Sequence, residues 1–121
     1  MVEQFVALGA EHLKVSILNN FSREVDAEQY DGICAQIERA ARLGVGVIRI
    51  NDSVGKLYPE TTAVLCRQLV SDFPDITFAL HCHNDRGLAL ENQLTSIYHG
   101  FQIVFYHLIA VVVLMVVKLF Q

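Results

Sequence analysis

The sequence lacks most of the features that announce a function directly. Its three cysteines, Cys34, Cys66 and Cys82, are an odd number with no C-x-x-C pair. That excludes a disulfide framework or a zinc ribbon and points to free thiols in a reducing compartment. Charge is scarce: 18% of residues are charged, 9 basic against 13 acidic, for a net charge of −4. No lysine–arginine run occurs, so a duplex-binding patch has no basis and nucleic acid is not an expected partner. Neither G-x-G-x-x-G nor G-x-x-x-x-G-K-[ST] is present, which removes the usual phosphate-binding loops. Gly44-Val45-Gly46 precedes a strand pattern and reads as a helix stop. Met1 to Ala10 holds Glu3 and no basic cluster, so a secretory leader is not expected and a cytoplasmic location is.

What the chain does have is apolar residues. The hydrophobic fraction is 53%, and the 7 glycines among 121 residues raise it to ~59%, against ~45–50% for typical domains. A disordered chain is excluded. The excess is uneven: residues 1–100 read as an α/β sequence, and 101–121 as an apolar tail. Between Ile103 and Val117 the only conventional polar interruption is His107.

Residues 1–100 repeat one pattern. Leu13 to Leu18 reads as a strand and Asn19-Asn20 ends it. Asp26 is an N-cap with Gln29 at the capping-box spacing. Tyr30, Ile33, Cys34, Ile37, Ala40 and Ala41 then fall on one helical face, which Gly44 terminates. Val47 to Ile50 is a second strand, followed by the turn-prone Asn51-Asp52-Ser53-Val54-Gly55. Pro59 suits a first helical turn, Val64, Leu65, Leu69 and Phe73 form the next stripe, and Phe73-Pro74 stops it. A third strand, Ile76 to Cys82, leads through Asn84-Asp85-Arg86-Gly87 into a helix from about Leu88 to Tyr98, with Leu90, Leu94, Ile97 and Tyr98 expected inward. Strand starts at Leu13, Val47 and Ile76 are roughly 30 residues apart, one βα unit each. Parallel strands with right-handed crossovers follow, in either an open doubly wound sheet or a (β/α) barrel. A full barrel needs ~250 residues, so this chain would hold about half of one.

In both architectures chemistry sits beyond the carboxyl ends of the strands. The sharpest such end is His81-Cys82-His83-Asn84-Asp85. Residues i and i+2 of a strand share a face, so His81 and His83 project together and can converge on one divalent cation, while Cys82 faces the other way as a buried thiol. A third ligand has to come from elsewhere, since His12, His99 and His107 are poorly placed. Without a metal, the same two residues would be hydrogen-bonded rim histidines.

These segments resemble a known family. Asp52-Ser53-Val54-Gly55 with Pro59 is similar to the D-[TS]-[VI]-G-x-x-x-P loop of the DRE-TIM metallolyases, which carry the HMGL-like, pyruvate carboxyltransferase-type domain. His81-Cys82-His83-Asn84-Asp85-Arg86-Gly87-Leu88-Ala89 resembles their H-C-H-N-D-x-G-[LC]-A segment. The family includes 2-isopropylmalate, homocitrate and citramalate synthases and the HMG-CoA lyases, and the Asn84-Asp85 pair looks more like the synthase branch. The resemblance covers about residues 10–104. It implies a (β/α)8 TIM barrel, of which residues 1–100 would supply strands five to seven. It implies a divalent metal (Mg, Mn or Zn) on His81 and His83, and substrate contacts from Ser53, Asp52 and Asn84. The reaction implied is condensation of acetyl-CoA with a 2-oxo acid, or a related aldol-type carbon–carbon cleavage.

Other family signatures differ. No Asp-Arg-Glu triplet occurs. The family's S-x-E-D-x-x-R segment survives only as Ser16 and Arg23, with Leu18-Asn19 in place of the two acids, and G-x-G-E-R-x-G-N does not follow Gly100. The expectation is therefore a fragment, inactive alone, that works as a homo-oligomer or is completed by another chain. The alternative is a non-catalytic membrane-associated or interaction protein derived from such a barrel. For the tail, residues Ile103 to Val117 as a helix would span ~22 Å, short of a ~30 Å hydrocarbon core. Counting from Phe101 through Phe120 reaches the twenty residues of a single-span anchor, and the other expectation is a strand-like segment followed by non-native sequence from an interrupted reading frame or altered splice.

Overall fold

The computed structural model describes residues 4, 7–9, 14–19, 21 and 24–105. The expectations attached to His12, Arg23, His107 and most of the apolar tail lie outside the described residues. Seven elements alternate: β1 (Lys14–Asn19), α1 (Ala27–Arg42), β2 (Val47–Asp52), α2 (Pro59–Asp72), β3 (Thr77–Cys82), α3 (Ala89–Tyr98) and β4 (Ile103–Phe105).

Local chemistry explains the helix boundaries. The Asp26 carboxylate accepts the Gln29 backbone N–H at 2.8 Å, capping α1 as its spacing anticipates. Gly44, at φ +85, takes the left-handed turn that ends α1. Pro59 opens α2 in the first-turn position, and Phe73 closes it immediately before Pro74.

The four strands form one parallel sheet in the order β1-β2-β3-β4. The order never reverses, as it would at the switch point of a doubly wound sheet. Register then separates two faces. Ile17, Ile50 and Leu80 lie side by side, and with Ile48, Phe78 and Cys82 they are at most 6% exposed. These residues form one cluster with Ile33, Ile37, Ala40, Leu65, Cys66, Leu69 and Ala89 from the helices. Each such burial contributes roughly 1.5–3 kcal/mol. The opposite face carries the row Ser16, Arg49, Ala79, Ile103, in which Ser16 is exposed and Arg49 and Ile103 are half-buried. All helices therefore cover one side of a continuous parallel sheet, the architecture of a barrel wall. The fold is a partial (β/α)8 barrel.

The sheet runs past the composition change at residue 100. Phe101 is buried and stacks on Phe78 with ring centroids 5.2 Å apart, and the Gln102 N–H donates to the Phe78 carbonyl at 3.1 Å. Among the described residues, no helix is long and apolar enough to cross a membrane.

Three stripe assignments need correction. In α3, Leu90, Leu94 and Tyr98 are exposed at 36%, 39% and 80%, and the buried residues are Ala89, Asn92, Gln93 and Ser96. Polar contacts set this rotation: the Asn92 side chain donates to the Leu57 carbonyl at 2.8 Å and accepts from the Thr62 hydroxyl at 2.8 Å. Turning Asn92 outward would strand two buried polar groups, which costs more than leaving two leucines at the rim. In α2, Val64 is exposed while Leu65 and Leu69 are buried, and in α1 Ala41 faces solvent.

Candidate metal and substrate site

The site stands at the carboxyl ends of β2 and β3. His81 lies on the open face, next in register to Asn51 of β2, and His83 follows one step beyond the strand. Their rings are 5.5 Å apart between centroids and 72° from coplanar. His81 is half-buried and His83 exposed, so the pair sits at a rim open to solvent. Cys82 points between them toward the helices, 6% exposed. Burial first, and the Asp52 carboxylate second, push its thiol above the usual range. It is a packing residue, as alternation along the strand requires.

The two strand-end loops are locked together. The His83 N–H donates to the Asp52 carbonyl at 3.3 Å. Gly55 has φ +66, and a Cβ there would meet the His83 carbonyl at 2.9 Å. Only glycine lets the β2 loop approach the histidine segment so closely. Arg86 adds a hydrogen bond to the Tyr58 hydroxyl at 3.4 Å.

The remaining expected residues fall in the same place with different immediate partners. Asp52 is fully buried, and its two carboxylate oxygens accept the N–H groups of Lys56 at 3.1 Å and Leu57 at 2.9 Å. It shapes the turn that presents Ser53, which is half-buried. Asn84 accepts the Ala89 N–H through Oδ1 at 3.2 Å, fastening the start of α3. Sequence reasoning missed Asn51, 4% exposed, which donates to the Ile17 carbonyl at 3.3 Å and ties β1 to the site level. A polar residue ending a buried strand was the available signal.

The donor set fits a divalent cation in part. Two imidazoles on one face supply nitrogens of the kind that suit Zn, Fe and Ni, whereas Mg and Mn draw more on carboxylate, carbonyl and water oxygens. Among the described residues, no group of three histidine, cysteine or acidic side chains joins them. A hollow of about 310 Å³ lined by Glu24, Glu60, Val64 and Gln68 contains none of the expected site residues.

Fold and site together define a barrel-wall segment whose polar groups gather at the C-terminal strand ends. The family model described as HMGL-like matches residues 5–108. This chain belongs to the HMGL-like family. It is 39% identical to the homocitrate synthase of Sulfolobus acidocaldarius over 75 residues, covering 62% of this chain and 16% of that protein. It is 34% identical to the 2-isopropylmalate synthase of Aquifex aeolicus over 96 residues, covering 71% and 18%. The chain thus spans less than a fifth of the length of these relatives. Among solved structures it is similar to an HMG-CoA lyase from Acinetobacter baumannii in complex with coenzyme A and 3-methylmalate (TM-score 0.68, 23% identity, 85% of this chain and 33% of that one). It is also similar to the carboxyl transferase domain of Rhizobium etli pyruvate carboxylase with pyruvate (TM-score 0.71, 16% identity, 85% and 17%). At these identities the structural likeness speaks for the fold alone.

Proposed function

We propose that this chain supplies the metal- and 2-oxo-acid-binding strand ends of a divalent-metal-dependent acyltransferase that joins acetyl-CoA to a 2-oxo acid. The same strand ends would serve a related aldol-type lyase. The observation that carries the reading is the His81–His83 pair on the open face of β3, beside the turn that holds Ser53. The named relatives, synthases of homocitrate and 2-isopropylmalate, favour the condensing direction. Three free thiols are in keeping with a reducing, cytoplasmic setting.

In this reading His81 and His83 hold Mg²⁺, Mn²⁺ or Zn²⁺. A bound divalent ion supplies Lewis-acid polarisation of a 2-oxo acid's carbonyl. The Ser53 hydroxyl donates a hydrogen bond to the substrate carboxylate. With Oδ1 of Asn84 engaged by α3, its amide NH₂ is the group left to orient substrate. Asp52 acts one step removed, by holding the Ser53 turn.

Titration calorimetry tests this. Two neutral ligands leave most coordination positions to water, so Mn²⁺ binding should be weak and lost in the double variant His81→Ala/His83→Ala. A panel of 2-oxo acids added to the Mn²⁺-saturated chain should show binding that Ser53→Ala weakens several-fold. Tight metal binding that survives loss of both histidines, or no 2-oxo acid affinity at metal saturation, would overturn the reading.

A further inference from the structure

We infer that Arg49 is a specificity residue, selecting a 2-oxo acid that carries a second carboxylate at its far end. The inference rests on the reading of His81 and His83 as the metal and 2-oxo-acid site, and it names the chemical class of that acid.

The pair stands on the helix-free face of the sheet. Among the described strand residues, this face carries two cationic side chains, Lys14 and Arg49, and no acidic one. Arg49 is the nearer to the histidines in register. It comes one inward-facing position before Asn51 on β2, and Asn51 is the register partner of His81. Asp52, by contrast, shares the opposite side with its register partner Cys82.

Burial indicates where the Arg49 side chain runs. The residue is half-buried and its Nε is buried, so the stem lies along the wall instead of standing out into solvent. Its row partner on β3 is Ala79, which is 0% exposed although it lies outside the cluster beneath the helices. A methyl group on an open face is covered by longer neighbours, and in that row these are Arg49 and Ile103. Ala79 and His81 are successive positions on one face of β3, ~6–7 Å apart. A guanidinium over Ala79 therefore forms the floor beneath the histidine pair.

That floor suits one chemistry. A 2-oxo acid seated at the pair presents its remaining carbons to it. Carbon–carbon bonds of ~1.5 Å place a carboxylate two methylenes beyond the keto carbon about 4–5 Å away from it, within the span between the pair and the Ala79 level. The planar guanidinium fork matches a carboxylate bidentately. An uncharged branched acid would bring an alkyl group against the guanidinium and displace water without replacing its hydrogen bonds. Ser53 then serves the carboxylate beside the keto group, and Arg49 the distal one.

Calorimetric titration of the Mn²⁺-saturated 121-residue chain with 2-oxopentanedioate and with 3-methyl-2-oxobutanoate tests the inference. The dioate should bind at least about tenfold more tightly. Arg49→Met should abolish that ratio and leave Mn²⁺ affinity and the circular dichroism spectrum unchanged, and Arg49→Lys should restore part of it. Ser53→Ala should weaken both acids alike. Arg67→Met, the same charge change at an exposed position of α2, should leave the ratio as it is. Equal affinities, a preference for the branched acid, or a ratio that survives Arg49→Met overturns the inference while the metal and 2-oxo-acid reading stands. Binding of neither acid overturns both. Where Arg49→Met does not fold, the distal methyl ester of the dioate decides in the unaltered chain, because it keeps the length and removes the charge. It should bind at least about tenfold more weakly than the dioate, and equal binding overturns the inference.

Discussion

Gly55 joins the two motifs of the site into one object. Its φ of +66 and the 2.9 Å approach of the His83 carbonyl to the place of a Cβ mean that Gly55→Ala must move either the β2 loop or the histidine segment. The expected cost is about 1–3 kcal/mol, read as a lowered urea midpoint, together with weaker Mn²⁺ binding. An alanine variant of native stability and affinity would show that the two loops are not mechanically linked. Asp52 acts similarly from beneath. Asp52→Asn replaces one acceptor oxygen with a donor facing a backbone N–H, and about 1–3 kcal/mol should be lost. The buried thiols give a pH signature. Burial raises both Cys66 and Cys82 above the usual range, so the native chain keeps these protons while the unfolded chain releases them near pH ~8.5. Their contribution is complete below that pH and declines as pH rises toward the folded-state values. Urea midpoints should be level from pH 7 to 8 and fall by pH 9.5, with a shallower fall in Cys66→Ala. A midpoint independent of pH over that range would contradict the burial argument.

At the scale of elements, the strands and the first two helices were legible because each rests on a local signal. Asp26, Gly44 and Pro59 mark helix ends by capping, left-handed φ and a missing N–H, none of which needs tertiary context. The third helix was legible in position but not in rotation. Its leucines have helical spacing, yet Asn92 bonds to Leu57 and Thr62, residues 30 or more positions earlier in the chain. No periodicity within α3 encodes those partners. Asn92→Leu should therefore destabilise the chain by about 1–3 kcal/mol despite its added apolar surface, whereas Tyr98→Gln, at an 80% exposed position, should change the urea midpoint negligibly. Equal effects would mean that the buried polar contacts do not orient the helix. The placement of the candidate histidine pair was legible for a related reason: strand alternation alone puts His81 and His83 on one side and Cys82 on the other. What alternation could not show is that Asp52 and Asn84 are engaged by the backbone of their own loops.

For the whole molecule, the decisive quantity is how much of a catalytic unit one chain contains. Groups that act together lose rate far out of proportion when some are missing, and no Asp-Arg-Glu triplet is present in the sequence. The purified 121-residue chain should release no measurable thiol from acetyl-CoA with a panel of 2-oxo acids and Mg²⁺ or Mn²⁺. Robust turnover would require a base and a charge stabiliser within these residues. The central claim concerns binding, however, and is tested most directly by amide-resolved paramagnetic broadening during Mn²⁺ titration. Signals of residues 81–84 and 53–55 should broaden first and together, and the effect should vanish in His81→Ala/His83→Ala. Broadening that begins around the acidic Glu24 and Glu60, or that persists without both imidazoles, would contradict the account.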